Sequence, residues 1–181
     1  PVNELHPLDP VSPYAKSKVK MESYCEVFLS SGLNIAYPRS FNHMGPGQMR
    51  GFVLADFASQ VARVEKGLQD EIKVGNLDAQ RDFLDVRDVA DAYLRLLESD
   101  VVGPVNVCSG NAIPVKSLLE GLCKLANADV PIVEDPSKMR PSDVPLMVGS
   151  AKFLIEKTSW NPKYDLDMTL RDTLNYWRRI S

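Results

Sequence analysis

Ser12-Pro13-Tyr14-Ala15-Lys16-Ser17-Lys18 marks the start of a helix, and the rest of the chain can be read outward from it. Ser12 offers a side-chain oxygen at an N-cap position, and Pro13 takes the first helical position, where its missing N–H costs nothing. Apolar and small residues recur at helical spacing from Tyr14 to Leu29, and Gly32 supplies a C-terminal stop. Leu33–Tyr37 then reads as a strand entering a Gly/Pro-rich loop, Arg39–Gly51. Phe52–Lys66 is a second amphipathic helix, closed by Gly67. Short strands are expected at Glu71–Val74 and Arg81–Val86, around the turn Gly75-Asn76-Leu77-Asp78, followed by a helix over Asp88–Glu98. Pro104–Cys108 reads as a buried strand, Pro114–Ala126 as a helix and Pro131–Glu134 as a strand. Two further helices fall near Ala151–Thr158 and Met168–Arg179. Strands alternating with helices define an α/β architecture.

Composition narrows the function classes. The 181 residues are 44% hydrophobic and 25% charged, enough for a packed core without a disulfide or metal staple. A net charge of -3 gives no reason to expect nucleic acid or an acidic membrane as partner. No apolar run approaches the roughly 18 residues of a membrane span. Cys25, Cys108 and Cys123 are odd in number and, with His6 and His43 far apart, have no metal-ligand spacing. No metal is expected, and a reducing cytoplasm is the simplest location. Asp85 and Asp88 could be imagined as a metal pair, but strand-end and N-cap roles explain them better.

Tyr14 and Lys18 lie four apart on one helix face. That face continues through Met21, Cys25 and Phe28, so the pair is expected to point inward. A lysine at the head of a buried face is expensive to desolvate. It could snorkel or pair with Glu22; alternatively, its ammonium could favour the phenolate and let Tyr14 exchange a proton near neutrality. Spacing alone leaves both readings open. A nicotinamide cofactor would need a Gly-rich phosphate loop after a first strand, and none is written here. Gly45-Pro46-Gly47 is no substitute, because Pro46 lacks a donor. The opening Pro1-Val2-Asn3-Glu4-Leu5-His6-Pro7-Leu8-Asp9-Pro10 reads as a surface loop, so the chain is expected to begin partway through a longer protein.

Three segments in order carry a resemblance: Pro10–Lys18, the loop Arg39-Ser40-Phe41-Asn42-His43-Met44-Gly45-Pro46-Gly47, and the run Arg81-Asp82-Phe83-Leu84-Asp85-Val86-Arg87-Asp88-Val89-Ala90. Together the chain resembles the extended short-chain dehydrogenase/reductases, specifically their GDP-mannose dehydratase and GDP-4-keto-6-deoxymannose reductase branch. The resemblance implies the C-terminal part of a Rossmann-type, NAD(P)-dependent sugar-nucleotide enzyme with its small substrate-binding subdomain. On that expectation residues 1–50 and 82–110 complete the Rossmann half, 51–81 and 111–181 form mainly the substrate subdomain, and the N-terminal cofactor-binding half is absent. It further implies that Tyr14 is the catalytic acid/base and that Lys18 assists it while binding the nicotinamide ribose. The family's third catalytic residue, a Ser or Thr, has no match in residues 1–13; Ser12 is better explained as a cap.

Arg39, Arg50, Arg81 and Arg140 fall in or beside predicted loops, and guanidinium forks suit phosphate oxygens. By the resemblance, Arg81 and Arg140 grip the diphosphate, Asp143 bonds the ribose and Asn42 contacts the phosphosugar. Arg39 is expected to be structural, His43 to make a loop hydrogen bond, Trp160 with Pro162 to form a packing turn, and Tyr176 and Trp177 to be core or interface. The loop continues Met44-Gly45-Pro46-Gly47-Gln48, as in the reductases, rather than Glu-Ser-Pro as in the dehydratases. The implied activity is reduction at C4 of a GDP-4-keto-6-deoxyhexose with NADP(H), or NAD(H), in a homodimer formed through the tyrosine-bearing helix and its neighbour, an interface that Phe52–Lys66 joins. Alternatives are a GDP-mannose 4,6-dehydratase, another sugar-nucleotide epimerase or reductase, and a sugar-nucleotide-binding fragment without activity of its own.

Overall fold

The computed structural model describes residues 1–139 and 144–181. It opens with helix α1 (Pro13–Ser30), which starts where the cap signal places it: the Ser12 hydroxyl accepts from Ala15 N at 3.1 Å. The helix ends in a left-handed turn at Gly32, φ +89°. There Leu33 N donates to Phe28 O and Gly32 N to Leu29 O, which satisfies carbonyls the helix leaves open.

Strand β1 (Ala36–Ser40) pairs in parallel with β5 (Gly103–Val107). It starts later than the apolar run predicts and continues through Pro38, which stands opposite Val105 in the ladder. The segment read as loop then holds a second strand, β2 (Asn42–Met44), which turns from β5 to pair in parallel with β4 (Gln80–Asp85). β4 is also flanked by β6 (Ala112–Pro114), antiparallel, and β8 (Leu146–Met147), parallel. β3 (Ile72–Val74) pairs in parallel with β7 (Ile132–Glu134). β2, β6 and β8 are too short to show a period-2 pattern, and the ladder alone defines them.

The helices sort these strands around two cores. α2 (Val53–Glu65), α4 (Val115–Ala126) and α6 (Leu166–Ile180) pack together with β3, burying Leu54, Phe57, Val61, Leu118, Leu122, Leu170 and Leu174. α3 (Val86–Leu97) and α5 (Lys152–Thr158) pack on β1 and β5, burying Val89, Leu96, Val105, Val107, Leu154 and Trp160. Trp160 is fully buried with Nε1 donating to Asp88 O at 3.2 Å, the packing role expected for that turn. Trp177 is buried edge-on to Tyr176, ring centroids 5.8 Å apart.

α2 buries eight of its residues inside the chain, from Leu54 to Ala62, because its apolar face packs on α4 and α6. Conversely, the face of α1 bearing Tyr14 and Lys18 does not point inward; no residue of α1 is buried, and Met21 and Phe28 are exposed. α1 lies against β5 and β1 through polar contacts, which turns its apolar stripe outward. Tyr37 and Arg39, two apart on β1, meet Glu22 and Glu26, four apart on α1. Arg39 forks onto Glu22 at 2.9 and 2.6 Å, and the Tyr37 hydroxyl bonds Glu26. Glu22 is therefore engaged by Arg39 rather than Lys18, and Arg39 is structural, as expected.

Candidate active site

A cleft of about 670 Å³ opens at the edge of the α2, α4 and α6 core, against Phe57, Phe83 and Val115. Alternation along β4 builds one wall: Arg81 and Phe83 face the cleft, while Asp82 and Leu84 point to the other side. Asn42 of β2 sits opposite Phe83 in the ladder and lines the same wall, with Nδ2 donating to Asp82 O at 3.3 Å. Arg81 NH1 donates to Gln80 O at 2.8 Å and to Pro145 O at 3.4 Å, which ties the guanidinium to the segment leading into β8. The opposite wall is Phe52, Val53, Asp56 and Phe57, at the start of α2. Gly75 and Asn76 close one end with Ser137 and Lys138.

Asp82, on the far side of β4, holds the strand ends in place. Its carboxylate is fully buried and accepts from Ser109 N and Oγ, Gly110 N and Gly149 N at 2.7 to 3.1 Å. Four donors compensate a charge that would otherwise be costly to bury. At the end of the strand Asp85 caps α3 and takes both arms of Arg87 and the Thr169 hydroxyl, at 2.7 to 2.9 Å. Burial alone would raise its pKa, but these bonds outweigh it and hold the carboxyl below its ordinary range. Asp88 accepts from Lys163 N and Tyr164 N. Both acids are thus occupied structurally, and among the described residues no group of His, Cys, Asp and Glu is arranged to hold a metal ion.

Tyr14 and Lys18 stand outside the cleft lining, on the exposed face of α1. The Tyr14 side chain is 72% exposed, and the Lys18 ammonium lies 5.3 Å from its ring centroid. Val11, three residues before Tyr14, does line the cleft, so the helix bearing the pair begins at the cleft's edge. His43 contacts Phe41 O through Nδ1 at 3.2 Å, a loop-type hydrogen bond. The structure therefore brings Asn42 and Arg81 together and leaves Tyr14 and Lys18 beside them. Arg140 and Asp143 lie outside the described residues. Sequence reading missed Asp56, Lys138 and Phe52; the one available signal for Asp56 was an acid in the first turn of a helix.

The family model described as GDP-mannose 4,6 dehydratase matches residues 1–173. A GDP-6-deoxy-D-mannose reductase from Pseudomonas aeruginosa is 41% identical over 180 residues, 98% of this chain, and the chain spans 59% of that relative's length. Among solved structures, RMD from Pseudomonas aeruginosa complexed with NADPH superposes with a TM-score of 0.91 at 40% identity, covering 98% of this chain and 60% of that one. UDP-glucose 4-epimerase from Thermotoga maritima, with UDP-glucose, gives 0.87 at 30% identity over 99% of this chain and 58% of its own.

Proposed function

The chain belongs to the GDP-mannose 4,6-dehydratase family of Rossmann-type sugar-nucleotide enzymes, and from that membership we propose that the protein is a GDP-4-keto-6-deoxy-D-mannose reductase. The observation that carries this reading is the 41% identity to a GDP-6-deoxy-D-mannose reductase across 98% of the chain. In this reading the cleft takes the GDP-sugar. Arg81 and Arg140 hold the diphosphate, Asp143 the ribose and Asn42 the phosphosugar.

The residues present suit a nicotinamide cofactor at the Tyr14 and Lys18 pair. Both are exposed, and Lys18 is in no ion pair with a described residue, so its ammonium is available to ribose hydroxyls. NADPH, or NADH, when bound supplies the hydride for C4 of the keto sugar. Tyr14 Oη donates the proton that neutralises the oxygen developing at C4. Lys18, one turn further along the same face, places a positive charge beside the phenol and orients the ribose. In this reading the sugar extends from the cleft to its edge, where Val11 leads into the helix that bears Tyr14.

The protein is further proposed to be cytoplasmic, in keeping with three free cysteines. No helix of the described residues is long and apolar enough to cross a membrane. A homodimer is proposed through α1, whose exposed Tyr24, Val27 and Phe28 offer an apolar face. A second reading, GDP-mannose 4,6-dehydratase, is favoured by the name of the matching family model.

The test is to present the intact protein with GDP-4-keto-6-deoxymannose and NADPH and follow cofactor absorbance. Keto-sugar-dependent oxidation of NADPH is expected. Conversion of GDP-mannose to the keto sugar without net cofactor consumption would establish the dehydratase instead.

A further inference from the structure

The far end of the cleft is built around a short 3-10 turn, Pro136–Lys138. Asp135 caps it, with Oδ1 accepting from Ser137 N at 2.9 Å and Ser137 Oγ at 2.7 Å. Asp135 N donates to Val74 O, so the turn continues directly from the β3–β7 ladder. Gly75, the next residue on the β3 side, touches the turn so closely that a Cβ there would lie 2.4 Å from Lys138 O. No side chain fits in that space, and the approach seats the Lys138 backbone against the strand end. From this fixed base the Lys138 ammonium reaches across to Asp56 Oδ2, in the first turn of α2.

Asp56 is an unusual residue for a cleft that takes a diphosphate. Its position at a helix N-terminus already offsets part of its charge. Arg50 lies 3.8 Å from its other oxygen, so two cations share one carboxylate. Arg81 adds another cation along the β4 wall. These charges sit in a chain whose total is -3. The Lys138 side chain is 30% exposed and the Asp56 side chain 17%, and both line the cleft. Lysine is a compact point charge on a flexible stem, and a paired carboxylate keeps that stem from swinging into solvent.

We propose that Lys138 is a further substrate-binding residue, contacting the diphosphate together with Arg81, and that Asp56 is the positioning residue that holds its ammonium over the cleft. This inference rests on the sugar-nucleotide reading of the cleft. On ligand entry a phosphate oxygen joins the Lys138 ammonium, which has three donors and can serve Asp56 at the same time.

Calorimetric titration of GDP and guanosine into the intact protein, its Lys138→Gln, Lys138→Arg and Asp56→Asn variants, tests it. Lys138→Gln is expected to weaken GDP about tenfold while leaving guanosine unchanged. Lys138→Arg should recover most of the loss, and Asp56→Asn should weaken GDP by a smaller factor, about threefold. Melting temperatures should match the wild type, which separates lost binding from lost folding. Equal losses for GDP and guanosine, or no loss, would overturn the role of Lys138; tighter GDP binding by Asp56→Asn would overturn that of Asp56. If the wild type binds UDP and not GDP, the GDP assignment fails on its own, and the same variants read with UDP against uridine still decide the diphosphate contact.

Discussion

Helices α1 and α2 are built from similar amounts of apolar residue and serve opposite ends. α2 spends its apolar face inside the chain: Leu54, Phe57 and Val61 meet α4 and α6, with Ala55, Ala58 and Ala62 allowing close approach. Its one large buried polar side chain, Gln60, is satisfied by β3, donating to Lys73 O at 2.9 Å and accepting from Lys73 N at 2.8 Å. α1 is longer, 18 residues against 13, and buries none of them. It is held to β1 by Glu22 and Glu26, while Tyr14, Met21, Tyr24, Val27 and Phe28 face outward. The helix that stabilises the fold is thus distinct from the helix that carries the proposed chemistry. An exposed phenol and ammonium remain reachable by a substrate and cofactor, whereas a buried pair would not be.

The sharpest way to break this contrast is Tyr14→Phe. Turnover is expected to fall about 10²- to 10⁴-fold, the usual contribution of a positioned general acid, with GDP-sugar binding and melting temperature unchanged. Lost binding in a titration would make Tyr14 structural and erase the distinction between the helices. Leu54→Ala on α2 should do the reverse, lowering unfolding free energy by about 2–5 kcal/mol in denaturant melts, because it empties a buried core site away from the cleft lining. A loss under 1 kcal/mol would show that α2 is not the structural helix.

Glu22→Gln probes how α1 is held. It removes one partner of a largely buried guanidinium and should cost about 1–3 kcal/mol, with faster amide exchange in α1 than in α2. Uniform exchange across both helices would mean that α1 is docked by something other than its polar tie. The smallest effect is expected from pH. Burial, and then the Glu26 bond, raise the Tyr37 pKa above its ordinary value. A raised tyrosine contributes stability that is intact below the unfolded value of about 10 and is lost as pH rises beyond it. The protein should therefore loosen α1 in alkali, and Tyr37→Phe should remove that component of the pH profile measured by thermal melts.

Much of this was legible beforehand. Ser12, Pro13 and Gly32 bound α1 within a residue or two, Asp85 was recognisable as a strand-end residue, though the cap role falls to it and not to Asp88, and Arg39 as structural. The inward face assigned to α1 differs from the structure for one reason. Periodicity states that a helix has an apolar side, but not what lies against it. The strand β2 escaped notice because it lies in a Gly/Pro-rich stretch, β6 because it runs into the proline read as the start of the next helix, and β8 because it is only two residues long.

The sequence by itself determined the helices and five of the eight strands in order, the ends of α1, and the family, since caps, stops and motif runs act through neighbours a few residues apart. Only the tertiary structure decided what the cleft contains. Asn42, Asp56, Arg81 and Lys138 come from four separate segments, and the Asp56–Lys138 contact spans 82 positions of chain. Such a contact depends on how α2, β3 and β7 pack, and close packing is a property of the assembled core rather than of any one segment.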